Sequence, residues 1–163
     1  MDHYQSIVVE YLRADRAVFV NTECCIQINP GQNPDTSGPH WYCDAVALDL
    51  RNKRIFLCEI SYAKNLTSLL KRLKEWSVHW EPLRHALVRD CNVDGTWSVR
   101  PWVFAPKELL EKHEQALKGI HFDGSACETT ELEKVQPWNF CWWDRTRELT
   151  GAQKEKAQEA TSI

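Results

Sequence analysis

Two acidic residues, Asp44 and Glu59, each lie in a run of apolar residues with the character of a β-strand. Carboxylate oxygens suit Mg²⁺ or Mn²⁺, which keep several water molecules and bind phosphate oxygens. Two nearby carboxylates repel each other unless a cation or a proton intervenes. The pair is therefore a candidate divalent-metal site. The alternative is that both acids lie at a solvated strand end and stay hydrated.

The turn between the two strands decides whether these acids share a face of the sheet. The polar residues 51–54 predict a two-residue turn or a four-residue loop, and both give the same register. In that register Asp44 lies opposite Ser61 and Glu59 lies opposite Val46. The two acids are then diagonal neighbours on one face, roughly 7–8 Å apart at the backbone. A three-residue loop would move them to opposite faces and remove the site.

The elements that must position the acids follow an α-β-β-β-α-β-α-β order. This order predicts an α/β fold, with a mixed central β-sheet flanked by helices. We expect a single domain over residues 1–150 and a polar, frayed C-terminal tail over 151–163. The predicted elements are a helix in the first segment, strands near 17–28, 41–50, 55–62 and 96–105, helices over 66–80 and 107–117, and weaker strands within 119–123 and 135–144. Pro82 is expected to end or kink the longer helix, and residues 29–39 are expected to form a loop.

This arrangement resembles the PD-(D/E)xK nucleases over roughly residues 4–105. The features in common are an N-terminal helix with a glutamate, a hairpin carrying the two acids, then a helix and a further strand; the matching stretch is CDAVALDLRNKRIFLCEIS. The resemblance implies a restriction endonuclease-like fold. It also implies that Asp44, Glu59 and the Ile60 carbonyl bind Mg²⁺ or Mn²⁺. Glu10 would correspond to the extra acid that many members use to hold metal or water.

The chain departs from the pattern of the family at two positions. Cys43 replaces a proline that the family itself often loses, and Ser61 occupies the position of the lysine. That lysine would stabilise the attacking hydroxide or the charge developing on the phosphate, whereas serine can orient a water but supplies no charge. Lys64 and Lys71 lie seven residues apart on one face of the following helix and are candidates for the basic group. The alternative is that both belong to a solvated face.

Three functions remain open from the sequence. The resemblance implies a metal-dependent nuclease that hydrolyses phosphodiester bonds of DNA or RNA, with Asp44 and Glu59 as metal ligands. Ser61 and the net charge of −3 favour a catalytically degenerate protein of the same fold, which would bind nucleic acid or act as a protein-interaction or regulatory module. A third function is docking of a protein partner through a Trp-rich C-terminal region that contains Trp138, Trp142 and Trp143. Many proteins of this fold form homodimers, so the oligomeric state is open.

Composition and targeting signals restrict the compartment. The first residues are too charged for a secretory signal, and no apolar run approaches a membrane span. The seven cysteines form no CxxC pair, so we expect a cytoplasmic protein with reduced thiols and no membrane contact. The net charge argues against a protein that coats nucleic acid without specificity, whereas a local basic patch would suffice for a nuclease.

Overall fold

The computed structural model describes residues 2–28, 40–141 and 144–148. The helices are α1 (His3–Arg13), α2 (Thr67–Val78), α3 (Trp80–Asp90), α4 (Lys107–Lys112) and α5 (Glu114–Lys118). The strands are β1 (Val18–Gln27), β2 (His40–Asp49), β3 (Arg54–Ile60), β4 (Ser98–Ala105), β5 (His121–Phe122), β6 (Ser125–Ala126), β7 (Glu128–Glu131), β8 (Phe140–Cys141) and β9 (Asp144–Glu148). The predicted loop at 29–39 and the predicted tail at 151–163 lie outside the described residues.

A five-stranded mixed sheet with the order β1-β2-β3-β4-β7 organises the fold. Strand β2 is antiparallel to both neighbours, whereas β3, β4 and β7 run parallel. One face packs on α2 and α3 through residues such as Leu57, Leu73 and Trp76, and the other packs on α1 through Val8 and Phe104. The predicted mixed α/β architecture is therefore confirmed. Within the described ranges, no helix combines the length and the apolarity needed to cross a membrane.

The β2–β3 hairpin turns through residues 50–53, so the predicted register was wrong by two positions. Asp49 pairs with Arg54, and Leu48 rather than Leu50 pairs with Ile55. A shift by two positions leaves every side chain on its predicted face, because side chains alternate with a period of two. The correction therefore changes which residues are opposite one another without separating the two acids.

Asp49 explains why the four-residue loop begins at residue 50, one residue earlier than predicted. Its buried carboxylate accepts hydrogen bonds from the backbone N–H groups of Arg51 and Asn52, at 3.0 and 3.1 Å, and from the Asn52 side chain at 2.7 Å. An aspartate that bonds the backbone two and three residues ahead stabilises a turn at that point. Lys53 completes the loop in the left-handed region, with a φ of 51°.

We expect the substitution Asp49→Ala to lower the free energy of unfolding by about 2 kcal/mol, because it leaves the loop donors without their charged acceptor. Urea denaturation of both proteins would measure the difference. Asp49→Asn is the matched control, since its side-chain carbonyl can still accept from the loop backbone, and it should recover part of the loss. Equal stability of the parent and Asp49→Ala would show that the loop does not depend on this side chain.

Other predicted elements are changed in detail. The long predicted helix breaks at His79, and Pro82 lies in the first turn of α3, where it removes no helical hydrogen bond. The second predicted helix is interrupted at His113 and forms α4 and α5. Strand β7, with the polar sequence ETTE, was not predicted, although it pairs with β4 in the central sheet.

Candidate active site

Asp44 and Glu59 meet where strands β2 and β3 separate. The backbone ladder between these strands ends at the pair Ala45–Cys58, and the next position places Asp44 opposite Glu59. The two acids are therefore direct rather than diagonal neighbours, which corrects the predicted pairing of Asp44 with Ser61. Beyond the ladder, the Ile60 N–H donates to Asp44 Oδ2 at 2.7 Å. A side-chain carboxylate thus takes the place of a backbone acceptor at the point of separation.

Gln5 of helix α1 holds the other oxygen of Asp44. Its Nε2 donates to Asp44 Oδ1 at 2.9 Å, while its Oε1 accepts from the N–H of Asp2, the N-cap residue of the helix, at 2.9 Å. The start of α1 is therefore joined to the carboxylate by one amide. Burial raises the pKa of Asp44, and the hydrogen bond from Ile60 acts against that rise.

Glu59 is 3% exposed and forms an ion pair with Arg72 of helix α2. Arg72 Nη1 lies 2.5 Å from Glu59 Oε2, whereas Glu59 Oε1 is buried and has no hydrogen-bond partner among the described residues. Burial and then the charge of Asp44 raise the pKa of Glu59 to about 7, although Arg72 opposes the rise. One guanidinium thus compensates only part of the negative charge of the two acids. A further positive charge would stabilise their ionised forms.

The other predicted site residues are less closely associated with Asp44 and Glu59. Ser61 directly follows β3, and its N–H donates to the Phe104 carbonyl at 2.9 Å. Glu10 is exposed and pairs with Arg13 at 3.5 Å, and the exposed Lys71 pairs with Glu75 at 4.0 Å. In the described part of the chain, no hydrogen bond or ion pair joins Asp44 or Glu59 to Glu10, Lys64 or Lys71.

Gln5 and Arg72 were not identified from the sequence, although both interrupt an apolar helical stripe. Gln5 precedes the buried Val8 and Val9 by three and four residues, and Arg72 lies three residues after Leu69 and four before Trp76. A polar residue at a core-facing helical position needs a buried partner. This signal marks Arg72 as the basic residue of α2 nearest the core, in preference to its neighbour Lys71.

Aromatic side chains lie close to the two acids. Tyr4 and Tyr62 stack with their ring centroids 4.5 Å apart, next in sequence to Gln5 and Ser61. A cavity of about 330 Å³ lies between β2 and α2, and its lining includes Trp41, Tyr42, Lys71 and Arg72. Arg72 therefore connects the buried ion pair to a surface that carries aromatic and basic groups. Of the predicted Trp-rich region, Trp138 is half-buried, and Trp142 and Trp143 fall outside the described residues.

The donor set at the site is small and consists of oxygen atoms. Within the described ranges, His, Cys, Asp and Glu side chains form no group of three or more that could hold a metal ion. Two carboxylates and a backbone carbonyl remain, a set that suits a hard cation retaining several waters. Comparisons with family models, curated proteins and solved structures found no match for the chain.

Proposed function

We propose that this chain is a metal-dependent nuclease of restriction endonuclease-like fold, which hydrolyses phosphodiester bonds of DNA or RNA. The observation that carries the proposal is the facing pair Asp44 and Glu59 at the point where β2 and β3 separate. Strand separation at a pair of acids gives a bound group access to both carboxylates and to the adjacent backbone. The resemblance in element order and in the positions of the acids supports the same proposal.

Asp44, Glu59 and the Ile60 carbonyl would hold Mg²⁺ or Mn²⁺. The residues fit such an ion, because Glu59 Oε1 is buried without a partner in the described part of the chain and the paired acids are short of positive charge. In a strand the N–H and C=O of one residue point to the same side, so the Ile60 carbonyl faces the side of Asp44. When bound, the ion would activate a water molecule and neutralise charge on a phosphate.

The protein groups around the acids orient them and supply charge. Gln5 and the Ile60 N–H hold the two oxygens of Asp44, which limits its rotation. Arg72 takes the place proposed above for Lys64 or Lys71, since its guanidinium lies at the acids and also lines the cavity beside them. A guanidinium there can stabilise the charge that develops on a phosphate, which Ser61 cannot do.

The surface beside the site has the chemistry of a nucleic-acid-binding surface. Tyr4 and Tyr62 are 40% and 49% exposed, and Tyr42 is 56% exposed. Exposed aromatic rings stack on bases, and the cations Lys71 and Arg72 can contact phosphates. These residues support a DNA or RNA strand as the partner in spite of the acidic net charge.

A cleavage assay tests the proposal. Plasmid DNA, single-stranded DNA and RNA are incubated with the protein in Mn²⁺ or Mg²⁺, beside Asp44→Ala and the matched control Glu10→Gln. We expect cleavage by the parent and by Glu10→Gln, and loss of cleavage in Asp44→Ala and in EDTA. Circular dichroism would confirm that each variant is folded. Cleavage that survives Asp44→Ala would refute the assignment of the site.

A second candidate function is binding of nucleic acid or of a protein partner without cleavage. The ion pair between Arg72 and Glu59 favours it, because a protein cation already pairs with one carboxylate oxygen. This function predicts that single-stranded DNA binds with the same affinity in EDTA and in Mn²⁺, and that no product forms. Fluorescence anisotropy with a labelled oligonucleotide would measure both conditions.

A further inference from the structure

Cys24 of strand β1 and Cys43 of strand β2 are direct partners in the antiparallel ladder. Directly opposed residues of antiparallel strands have Cα atoms about 4.5–5.5 Å apart. Disulfide bonds join residues whose Cα atoms are about 4.4–6.8 Å apart. The backbone spacing of this pair therefore permits a cross-strand disulfide without a large movement of either strand.

Both thiols lie on the face of the sheet that packs on α2 and α3, beside a local irregularity in the ladder. The ladder is interrupted between Thr22 and Cys24, where Glu23 has a φ of 53°. Both Cys24 and Cys43 pack with the core cluster beneath α2 and α3, although Ala45, two residues after Cys43, belongs to the opposite cluster. The Cys24 Sγ lies 3.3 Å from the Asn21 carbonyl oxygen, and the Cys43 Sγ lies 3.5 Å from the Ala45 carbonyl oxygen, so each thiol donates to the backbone of its own strand. Rotation of the two side chains about their Cα–Cβ bonds can bring the sulfur atoms of such directly opposed residues together.

Cys24 is also accessible and reactive. It is half-buried and lines a cavity of about 270 Å³, whereas Cys43 is buried. The neighbouring Cys43 thiol lowers the pKa of Cys24, although burial opposes this shift. A lowered pKa increases the fraction of Cys24 that is thiolate, the form that reacts with oxidants. A reactive, accessible thiol beside a second, buried thiol is the arrangement expected of an oxidant-sensitive pair.

We propose that Cys24 and Cys43 form a modification site, in which a hydroperoxide converts the two thiols into a cross-strand disulfide. The Cys24 thiolate attacks one peroxide oxygen, the O–O bond breaks, and the other oxygen leaves as water after taking up a proton. The Cys43 sulfur then attacks the Cys24 sulfenic acid, forming the S–S bond as the S–O bond breaks. The hydroxide released takes the Cys43 proton and leaves as a second water. Two thiols are oxidised, and the peroxide is reduced to two waters.

The disulfide would join β1 to β2 immediately before Asp44. It would fix the position of β2 at the residue where the strand leaves its ladder with β3. The inference concerns the thiols alone and does not rest on the proposed nuclease function, because the measured quantity is the bond itself.

Mass spectrometry of the full-length, reduced protein tests the proposal. After brief exposure to a small excess of hydrogen peroxide, we expect the intact mass to fall by two hydrogen atoms, about 2 Da. Two fewer cysteines should react with an alkylating reagent, and peptide mapping should join the segments that contain Cys24 and Cys43. Treatment with dithiothreitol should restore the original mass.

Variants at other cysteines keep the test specific. Cys91→Ser and Cys127→Ser should form the same cross-link as the parent, since neither thiol belongs to the pair. In Cys43→Ser the disulfide should not form, and a dimedone adduct should instead label the sulfenic acid at Cys24. A cross-link that maps to Cys24 and Cys91, or full alkylation of every cysteine after peroxide, would overturn the proposal.

Discussion

At about pH 8, the Glu59→Gln variant is expected to be more stable than the parent protein by about 3 kcal/mol, even though Glu59 forms an ion pair. The ordinary pKa of a glutamate is 4.5, and that of Glu59 in the folded protein is about 7. Each pH unit of difference corresponds to about 1.4 kcal/mol. Glutamine has nearly the same shape and can still accept a hydrogen bond from Arg72, but it carries no charge to bury.

The direction of the pH dependence follows from the raised pKa. Between about pH 4.5 and 7 the folded protein holds a proton on Glu59 that the unfolded chain has released. Unfolding therefore releases a proton, and the stability of the parent should fall as the pH rises through this window. Below about pH 4.5 the two proteins should differ little. Thermal unfolding of both proteins at several pH values would measure the difference.

The same variant reports on metal binding. A divalent cation that binds the folded parent should raise its free energy of unfolding, by about 2.7 kcal/mol at one hundred times the dissociation constant. Glu59→Gln should gain much less from Mn²⁺, and Glu10→Gln, an exposed control, should respond as the parent does. A Glu59→Gln protein that melts below the parent at pH 8 without metal would contradict the burial argument.

Removal of the Arg72 guanidinium should lower the stability of the fold, the opposite of the effect expected for Glu59→Gln. We expect Arg72→Met to lower the free energy of unfolding by about 3 kcal/mol at about pH 8, because it leaves the buried Glu59 carboxylate without a counter-charge. At about pH 5 the loss should be much smaller, since Glu59 then carries a proton. Urea denaturation at the two pH values would measure both losses.

Two further variants isolate the interaction. The double variant Arg72→Met with Glu59→Gln should recover most of the stability lost in Arg72→Met, because the buried charge has gone as well. Lys71→Met, at the exposed neighbouring position, should change stability by no more than about 0.5 kcal/mol. Strict additivity of the two substitutions would show that the ion pair contributes nothing to the fold.

The proximity of Asp44 and Glu59 could be predicted because it depends on parity alone. The predicted turn was two positions off, yet the acids remained neighbours, since strand alternation survives any even shift. The exact register depends on the role of Asp49 in the loop. The sequence indicates only that this residue lies at the end of a strand, so the register could not be predicted. Its carboxylate bonds to the loop backbone, and this local competition with the ladder decides where the hairpin turns.

The partners of the two acids depend on tertiary packing and were harder to predict. Gln5 and Arg72 come from helices on opposite sides of the sheet. Nothing in the sequence of either helix identifies the hairpin as its partner. The seven-residue spacing predicted that Lys64 and Lys71 share one helical face, and this prediction was wrong, because Lys64 lies before α2 and only Lys71 is helical. Helical position relative to the buried residues would have selected Arg72, because a core-facing cation must meet an acid.

The left-handed backbone at Glu23 also affects how the sheet meets other chains. Strand β1 is an edge of the five-stranded sheet, and its ten residues offer a long outer backbone. A straight edge of this length is a template on which a strand from a second molecule can add. Glu23 has a left-handed backbone and an exposed, charged side chain, and it divides this edge into two short runs. The irregularity beside the thiols therefore also makes this edge a poorer template for edge-to-edge aggregation.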